Sequence, residues 1–173
     1  MILIYRVPRE PTRLRAAVWR RLRNLGAIYV QNSAAALPRS SQGERAMRAL
    51  RNEIVQSMSG RAFLIETTSI VGEADLKEMF NAARNDEYDE ILDKCEDFHA
   101  EVAKEIAADH FTYGELEENE EDLEKLKGWF AKVRARDLLG AARSGEVEAA
   151  LTDCASTLAD YAQRVYEYEE SHH

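Results

Sequence analysis

All basic residues among the first 62 positions are arginines: Arg6, Arg9, Arg13, Arg15, Arg20, Arg21, Arg23, Arg39, Arg45, Arg48, Arg51 and Arg61. A guanidinium offers a planar fork of N–H donors that grips phosphates, carboxylates and other oxyanions through two oxygens at once, which a lysine ammonium cannot do. Arg6, Arg9, Arg13, Arg15 and Arg20 are expected to gather near the first strand-to-helix turn and, with Arg23, are the candidate residues for a DNA-phosphate or oxyanion site. Glu10, Glu44 and Glu53 are the only acids in this stretch, which therefore carries +9, while the remainder holds 11 basic and 29 acidic residues and carries −18. The net charge of −9 thus conceals a dipolar distribution, pointing either to an anionic partner or to an internal contact between basic and acidic segments. A coding bias toward arginine does not account for it, because six of the eleven later basic residues are lysines.

Other chemistry is sparser. Cys95 and Cys154 are candidate redox thiols, yet both fall on apolar helical faces, where a small buried hydrophobe is the commoner role. Glu115, Glu117, Glu118, Glu120, Glu121 and Asp122 place carboxylates at spacings that could share a hard cation, but a solvated helix start explains them better. His99 and His110 lack the nearby His or Cys of a zinc site. No Ser-His-Asp, Cys-His or phosphate-loop arrangement is present, so neither an enzyme nor a cofactor or metal is expected. Arg21 projects near the middle of an apolar helix stripe and should meet a carboxylate of the acidic helices or an interface. Arg134, Arg136 and Asp137 are further candidates for structural or interface ion pairing.

These residues need elements to position them. Ile2 to Val7 is a β-favouring run stopped by Pro8 and Pro11, and Pro11-Thr12 suits a helix start. Leu14, Val18, Leu22 and Leu25 then form one helical stripe ended by Gly26. Ala27–Gln31 and Ala34–Leu37 read as strands joined at Asn32-Ser33, with Pro38 closing the second. Ser41-Gln42-Gly43-Glu44 fits a capping box, followed by Met47, Leu50, Ile54 and Met58 on one face, Gly60, and a strand over Ala62–Thr67. The order β-α-β-β-α-β is the ferredoxin-like pattern.

After Gly72 the pattern turns wholly helical. Phe80, Ile91, Cys95, Phe98, Val102 and Ile106 supply the buried side of a long helix, with Asn85-Asp86 as a break point. A Thr112–Glu115 capping box opens a helix carrying Leu123, Leu126, Phe130 and Val133, and a last helix carries Val147, Leu151, Cys154, Leu158, Tyr161 and Val165. The expected fold is therefore α+β: an Arg-rich ferredoxin-like module over 1–71, then an acidic helical unit over 72–173, a long helix plus a helical hairpin. Trp19, Trp129 and Phe130 are expected in the core, and Tyr161, Tyr166 and Tyr168 at a partner surface.

The longest apolar runs, such as Ala62–Ile65, are far too short to cross a bilayer, and the N-terminus lacks signal-peptide features. A cytoplasmic protein with free thiols and no membrane partner is expected, and an exposed sheet edge suggests a homodimer.

Tyr5-Arg6-Val7-Pro8-Arg9-Glu10-Pro11-Thr12, Val18-Trp19-Arg20-Arg21-Leu22, Leu25-Gly26-Ala27, Gln31-Asn32, Ala36-Leu37-Pro38 and Leu126–Leu139 with Trp129 and Arg134-Ala135-Arg136-Asp137 together resemble the N-terminal domain of ChrB, the chromate-resistance regulator. The resemblance covers nearly the whole chain. It implies a transcription regulator associated with chromate-resistance operons, and full-length members carry a further C-terminal domain. Chromate, a divalent tetrahedral oxyanion, would suit an arginine cluster beside a helix N-terminus. A more distant similarity links the first module to PaaX-type repressors and to ferredoxin-like nucleases of CRISPR adaptation. Those nucleases place a metal-binding aspartate after the first-strand tyrosine, where this chain has Arg6, which argues against two-metal hydrolysis.

Two functional readings follow. In one, a regulator-like protein contacts DNA or an oxyanion such as chromate through its Arg-rich module. In the other, a non-catalytic interaction or scaffold protein pairs its arginines internally with its acidic helices.

Overall fold

The structure, a computed structural model, describes residues 1–172 and the side chains of residues 1–171. Among these residues it is a mixed α/β chain of nine elements: β1 (Ile2–Arg6), α1 (Arg13–Leu25), β2 (Ile28–Gln31), β3 (Ala34–Ala36), α2 (Ser41–Gln56), β4 (Arg61–Ile65), α3 (Glu73–Ala107), α4 (Tyr113–Arg136) and α5 (Ser144–His172).

The strands form one antiparallel sheet in the order β2-β3-β1-β4. Side chains alternate across a strand, so Leu3 and Tyr5 point toward α1 and α2 while Ile2 and Ile4 point the other way. Val18 and Leu22 of α1, with Met47, Leu50 and Ile54 of α2, close over Leu3, Ala35 and Ala62. The expected stripe on α1 is the one that is buried. Gly26 ends that helix at φ 83, a left-handed conformation that costs a residue without a Cβ little. Arg21, by contrast, is exposed, because Val18 and Leu22 make the buried contact with the sheet and its guanidinium reaches out to Glu53 of α2.

At α2 the expected cap is displaced by one residue. The side chain of Ser40, not Ser41, accepts the N–H of Gly43 at 3.0 Å, because Ser40 holds the extended backbone a cap residue needs while Ser41 is already helical. At α4 the cap is where the capping box places it, the Thr112 hydroxyl accepting the Glu115 N–H at 3.2 Å.

The second face of the sheet is covered in part by the start of α3. Phe80, with Leu76 and Ala83, packs on Ile28, Ala36, Ile2 and Val30. The chain accordingly forms two compact units that divide inside α3: Met1–Ala83 with Arg136–Leu139, and Arg84–Ala135 with the segment from Gly140 on. The expected boundary lies after residue 71, while the first turns of α3, through Phe80, Leu76 and Ala83, serve the sheet. Nor does α3 break at Asn85-Asp86; it is helical from Glu73 to Ala107.

The second unit is helical. Buried residues recur at alternating spacings of three and four: Tyr88, Ile91, Cys95, Phe98 and Val102 on α3; Leu116, Asn119, Leu123, Phe130 and Val133 on α4; Val147, Leu151, Cys154, Leu158, Tyr161 and Val165 on α5. That spacing sets one buried stripe along each helix, and the three stripes share one core cluster. Asn119 takes one such position and satisfies itself by donating to the Glu115 carbonyl at 2.8 Å. Tyr161 is fully buried rather than at a surface, its hydroxyl donating to the carbonyl of His110, whereas Tyr166 and Tyr168 are exposed. No helix among the described residues is long and apolar enough to cross a membrane.

Candidate functional site

Arg6 ends β1 and Arg61 begins β4, and the antiparallel register sets them directly opposite each other. Arg9 follows in the loop after β1, and Arg15 lies in the first turn of α1. These four guanidinium-bearing residues line one cavity of about 610 Å³ together with Val7, Pro8, Ser59 and Gly60. All four are exposed, and among the described residues none has a carboxylate partner. Like charges directly opposite on neighbouring strands repel, so Arg6 and Arg61 form an electrostatically unfavourable pair that a bound anion would relieve.

A second cavity of about 400 Å³ shares Arg6, Val7 and Arg15 with the first and adds Tyr5, Tyr29, Trp19, Asn32 and Ser33. The hydroxyls of Tyr5 and Tyr29 lie 2.7 Å apart, and burial together with that bond raises the Tyr29 pKa well above the ordinary phenol value. Tyr29 therefore stays neutral, offering a hydrogen bond without adding negative charge beside the arginines. Trp19, expected in the core, is instead 45% exposed, with the Arg23 guanidinium 5.3 Å from its ring centre. It lies on the outer face of α1, since Val18 and Leu22 already fill the contact with the sheet. Phe130 is buried as expected, and Trp129 packs half-buried against the helical core.

Of the six candidate arginines, the structure brings Arg6, Arg9 and Arg15 together and leaves Arg13, Arg20 and Arg23 elsewhere on the exposed surface of α1. Arg61 completes the cluster, and sequence reasoning misses it. The signal lies in the element order, because an antiparallel pairing of β1 with β4 brings the end of one to the start of the other.

Several other arginines of the module find partners inside it. Arg21 pairs with Glu53 of α2, so its carboxylate does not come from the acidic helices. Arg48 holds Glu44 at 3.1 Å and also Glu66, while Arg39 lies 3.7 Å from both acids. Arg51 donates to the Ala62 carbonyl at 3.2 Å and to Asn52 at 3.1 Å.

In the helical unit, Arg134 lies 3.4 Å from Glu148 and 5.8 Å from the Phe130 ring centre. Arg136 and Asp137 are half-buried where α4 ends. Cys95 and Cys154 are both buried and unlinked. Burial pushes the Cys95 thiol up, and burial with the neighbouring Cys95 pushes Cys154 up to about 12, the opposite of what a reactive thiolate requires. His99 is held by Thr157 at 3.1 Å, Asp153 at 3.3 Å and the Cys154 sulfur at 3.5 Å, and His110 by Glu105 at 2.9 Å. Among the described residues no three His, Cys, Asp or Glu side chains group so as to hold a metal ion. The acidic run on α4 is mostly solvated, with Lys125 bonded to Asp122 at 2.8 Å.

Sheet and site together define an α/β module with an open, arginine-lined cavity suited to an anion, followed by a helical unit. The family model described as "Protein ChrB, N-terminal" matches residues 15–172, nearly the whole chain, and the chain belongs to that family. Membership associates it with chromate resistance and a regulator-like role. The match begins at Arg15, so Arg6 and Arg9 stand before the matched stretch while Arg15 and Arg61 lie within it. No curated protein and no solved structure matches the chain.

Proposed function

We propose that this chain is the anion-binding module of a chromate-resistance regulator, and that Arg6, Arg9, Arg15 and Arg61 take the phosphates of duplex DNA or, in their place, chromate. The observation that carries the reading is the cluster itself: four arginines on one cavity without a carboxylate among them. Element order β-α-β-β-α-β and strand order β2-β3-β1-β4 support reading the first module as ferredoxin-like. No catalytic step is assigned to it.

The scaffold alternative requires arginines neutralised by the acidic helices. Arg21, Arg39 and Arg48 do have carboxylate partners, but Glu44, Glu53 and Glu66 all belong to the first module. Phosphate and chromate share the tetrahedral oxyanion geometry that a guanidinium fork recognises. A common site for both couples the two ligands, since chromate held between Arg6 and Arg61 removes charge that a DNA phosphate would use.

Fluorescence anisotropy with duplex DNA from the chain's own promoter, across a salt series, tests this. Each phosphate contact released lowers the slope of log affinity against log salt by about 1. Replacing Arg6, Arg9, Arg15 or Arg61 by Gln should lower the slope in this way, while Arg45→Gln, outside the cavity, should not. Chromate should weaken binding more than equal sulfate if the site is tuned to it. Absence of DNA binding at low salt, or slopes indifferent to all four arginines, overturns the proposal.

A further inference from the structure

On the face of the sheet turned away from α1 and α2, β1 and β4 present Ile4 opposite Phe63 and, two residues further along, Arg6 opposite Arg61. The start of α3 covers Ile28, Ala36 and Ile2 but leaves this end open: Phe63 is 58% exposed, Ile65 44% and Ile4 43%. An aromatic ring so exposed, with aliphatic neighbours on both strands, costs solvation that a free monomer does not recover. β4 is also an edge strand, so nothing else in the sheet lies beyond Phe63.

We infer that this face receives an unpaired deoxynucleotide, its base stacked on Phe63 and its phosphate between Arg6 and Arg61. The inference rests on the reading of the arginine cluster as a phosphate site and extends it from duplex backbone to exposed bases. Residues two apart on a strand are about 6.7 Å apart, comparable with the separation of a base from the phosphate of its own nucleotide. A π-face stacks on any base, while paired guanidiniums supply the charge that a nucleic-acid backbone needs. A small cleft beside Phe63, lined also by Arg48, Arg51, Asn52 and Leu64, offers further hydrogen-bond donors past the ring, although Arg48 is itself paired with Glu44 and Glu66. Glu66, the nearest acid along β4, is already held by Arg39 and Arg48.

The decisive comparison is the affinity of the full chain for a fluorescent single-stranded oligothymidylate and for a duplex of equal length, with Phe63→Ala and Phe63→Trp. One lost stacking contact is worth about 1–3 kcal/mol, so Phe63→Ala should weaken single-strand binding roughly 5- to 150-fold, Phe63→Trp should retain it, and duplex binding should hold in both. Far-UV circular dichroism and thermal unfolding establish that each variant is folded. Duplex binding with single-strand binding absent or indifferent to Phe63 overturns this inference and leaves the arginine site standing. Binding of neither form overturns both. Sedimentation separates the protein-partner outcome: a dimer that Phe63→Ala dissociates, with single-strand affinity unchanged, also overturns it.

Discussion

Gly60 lies so close beneath Arg6 that a methyl group on its Cα would sit 2.6 Å from the Arg6 carbonyl oxygen and 2.7 Å from the Ile54 side chain. The backbone N–H of Gly60 also donates to the Ile54 carbonyl at 2.9 Å. The turn that delivers Arg61 to its place opposite Arg6 thus needs a residue without a side chain.

Gly60→Ala should destabilise the first unit by about 1–3 kcal/mol, the usual cost of overpacking, and should weaken anion binding as the facing ends of β1 and β4 part. Gly128, in the middle of α4, has open space where a methyl group would project, with nothing within 4 Å. There Gly128→Ala should stabilise by up to about 1 kcal/mol through helix propensity alone. Urea unfolding of both variants checks the pair; equal effects at the two glycines would remove the steric argument.

Repulsion between Arg6 and Arg61 predicts a salt effect. Added salt screens surface charge, so the wild-type chain should gain stability from low to moderate ionic strength. Arg61→Gln should match that gain at low salt, by roughly 0.2–1 kcal/mol, the range for cross-strand pairs. A variant less stable than wild type at every salt concentration would mean that Arg61 has an attractive role.

Capping at α2 distinguishes neighbouring serines. Ser40→Ala removes the acceptor for the Gly43 N–H and should cost about 1 kcal/mol. Ser41→Ala, at the first helical position, should fall within about 0.5 kcal/mol of wild type. Thermal unfolding of the two variants separates them.

The buried thiols predict an alkaline weakness. Folding favours the neutral Cys154, whose pKa rises from 9.0 to about 12. That contribution to stability is full below about pH 9 and fades as the pH climbs toward 12. Cys154→Ala should lower stability at about pH 8, where the cavity is the main cost, and flatten the decline above it. In the native wild type, Cys95 and Cys154 should react slowly with a thiol reagent at about pH 8 and quickly once denatured. Fast native labelling would count against burial as the governing effect.

Much of the secondary structure is legible in the sequence because it follows from local periodicity. Leu14, Val18 and Leu22 face the core on α1, and Val147, Leu151 and Cys154 recur at helical spacing on α5, since an amphipathic helix must bury its stripe wherever it packs. Misreadings arise where packing or a backbone angle decides. Trp19 is large and apolar, yet it sits outside because its neighbours Val18 and Leu22 fill the contact with the sheet. Tyr161 is inside because the carbonyl of His110 accepts its hydroxyl. The cap passes from Ser41 to Ser40 on backbone conformation, which identical side chains cannot reveal.

The sequence by itself determined the order of the elements, the concentration of arginine in the first of them and the resemblance to the ChrB family. These are properties of composition, short-range spacing and motif, and they survive any arrangement of the elements in space. Only the tertiary structure decided which arginines stand together. Strand pairing carried Arg61 across fifty-five positions of chain to face Arg6, while Glu44, Glu53 and Glu66 took up Arg21, Arg39 and Arg48. Coulomb interactions depend on distance in space and not along the chain, so an even-looking run of twelve arginines becomes a neutralised set and an open cluster only when the sheet closes.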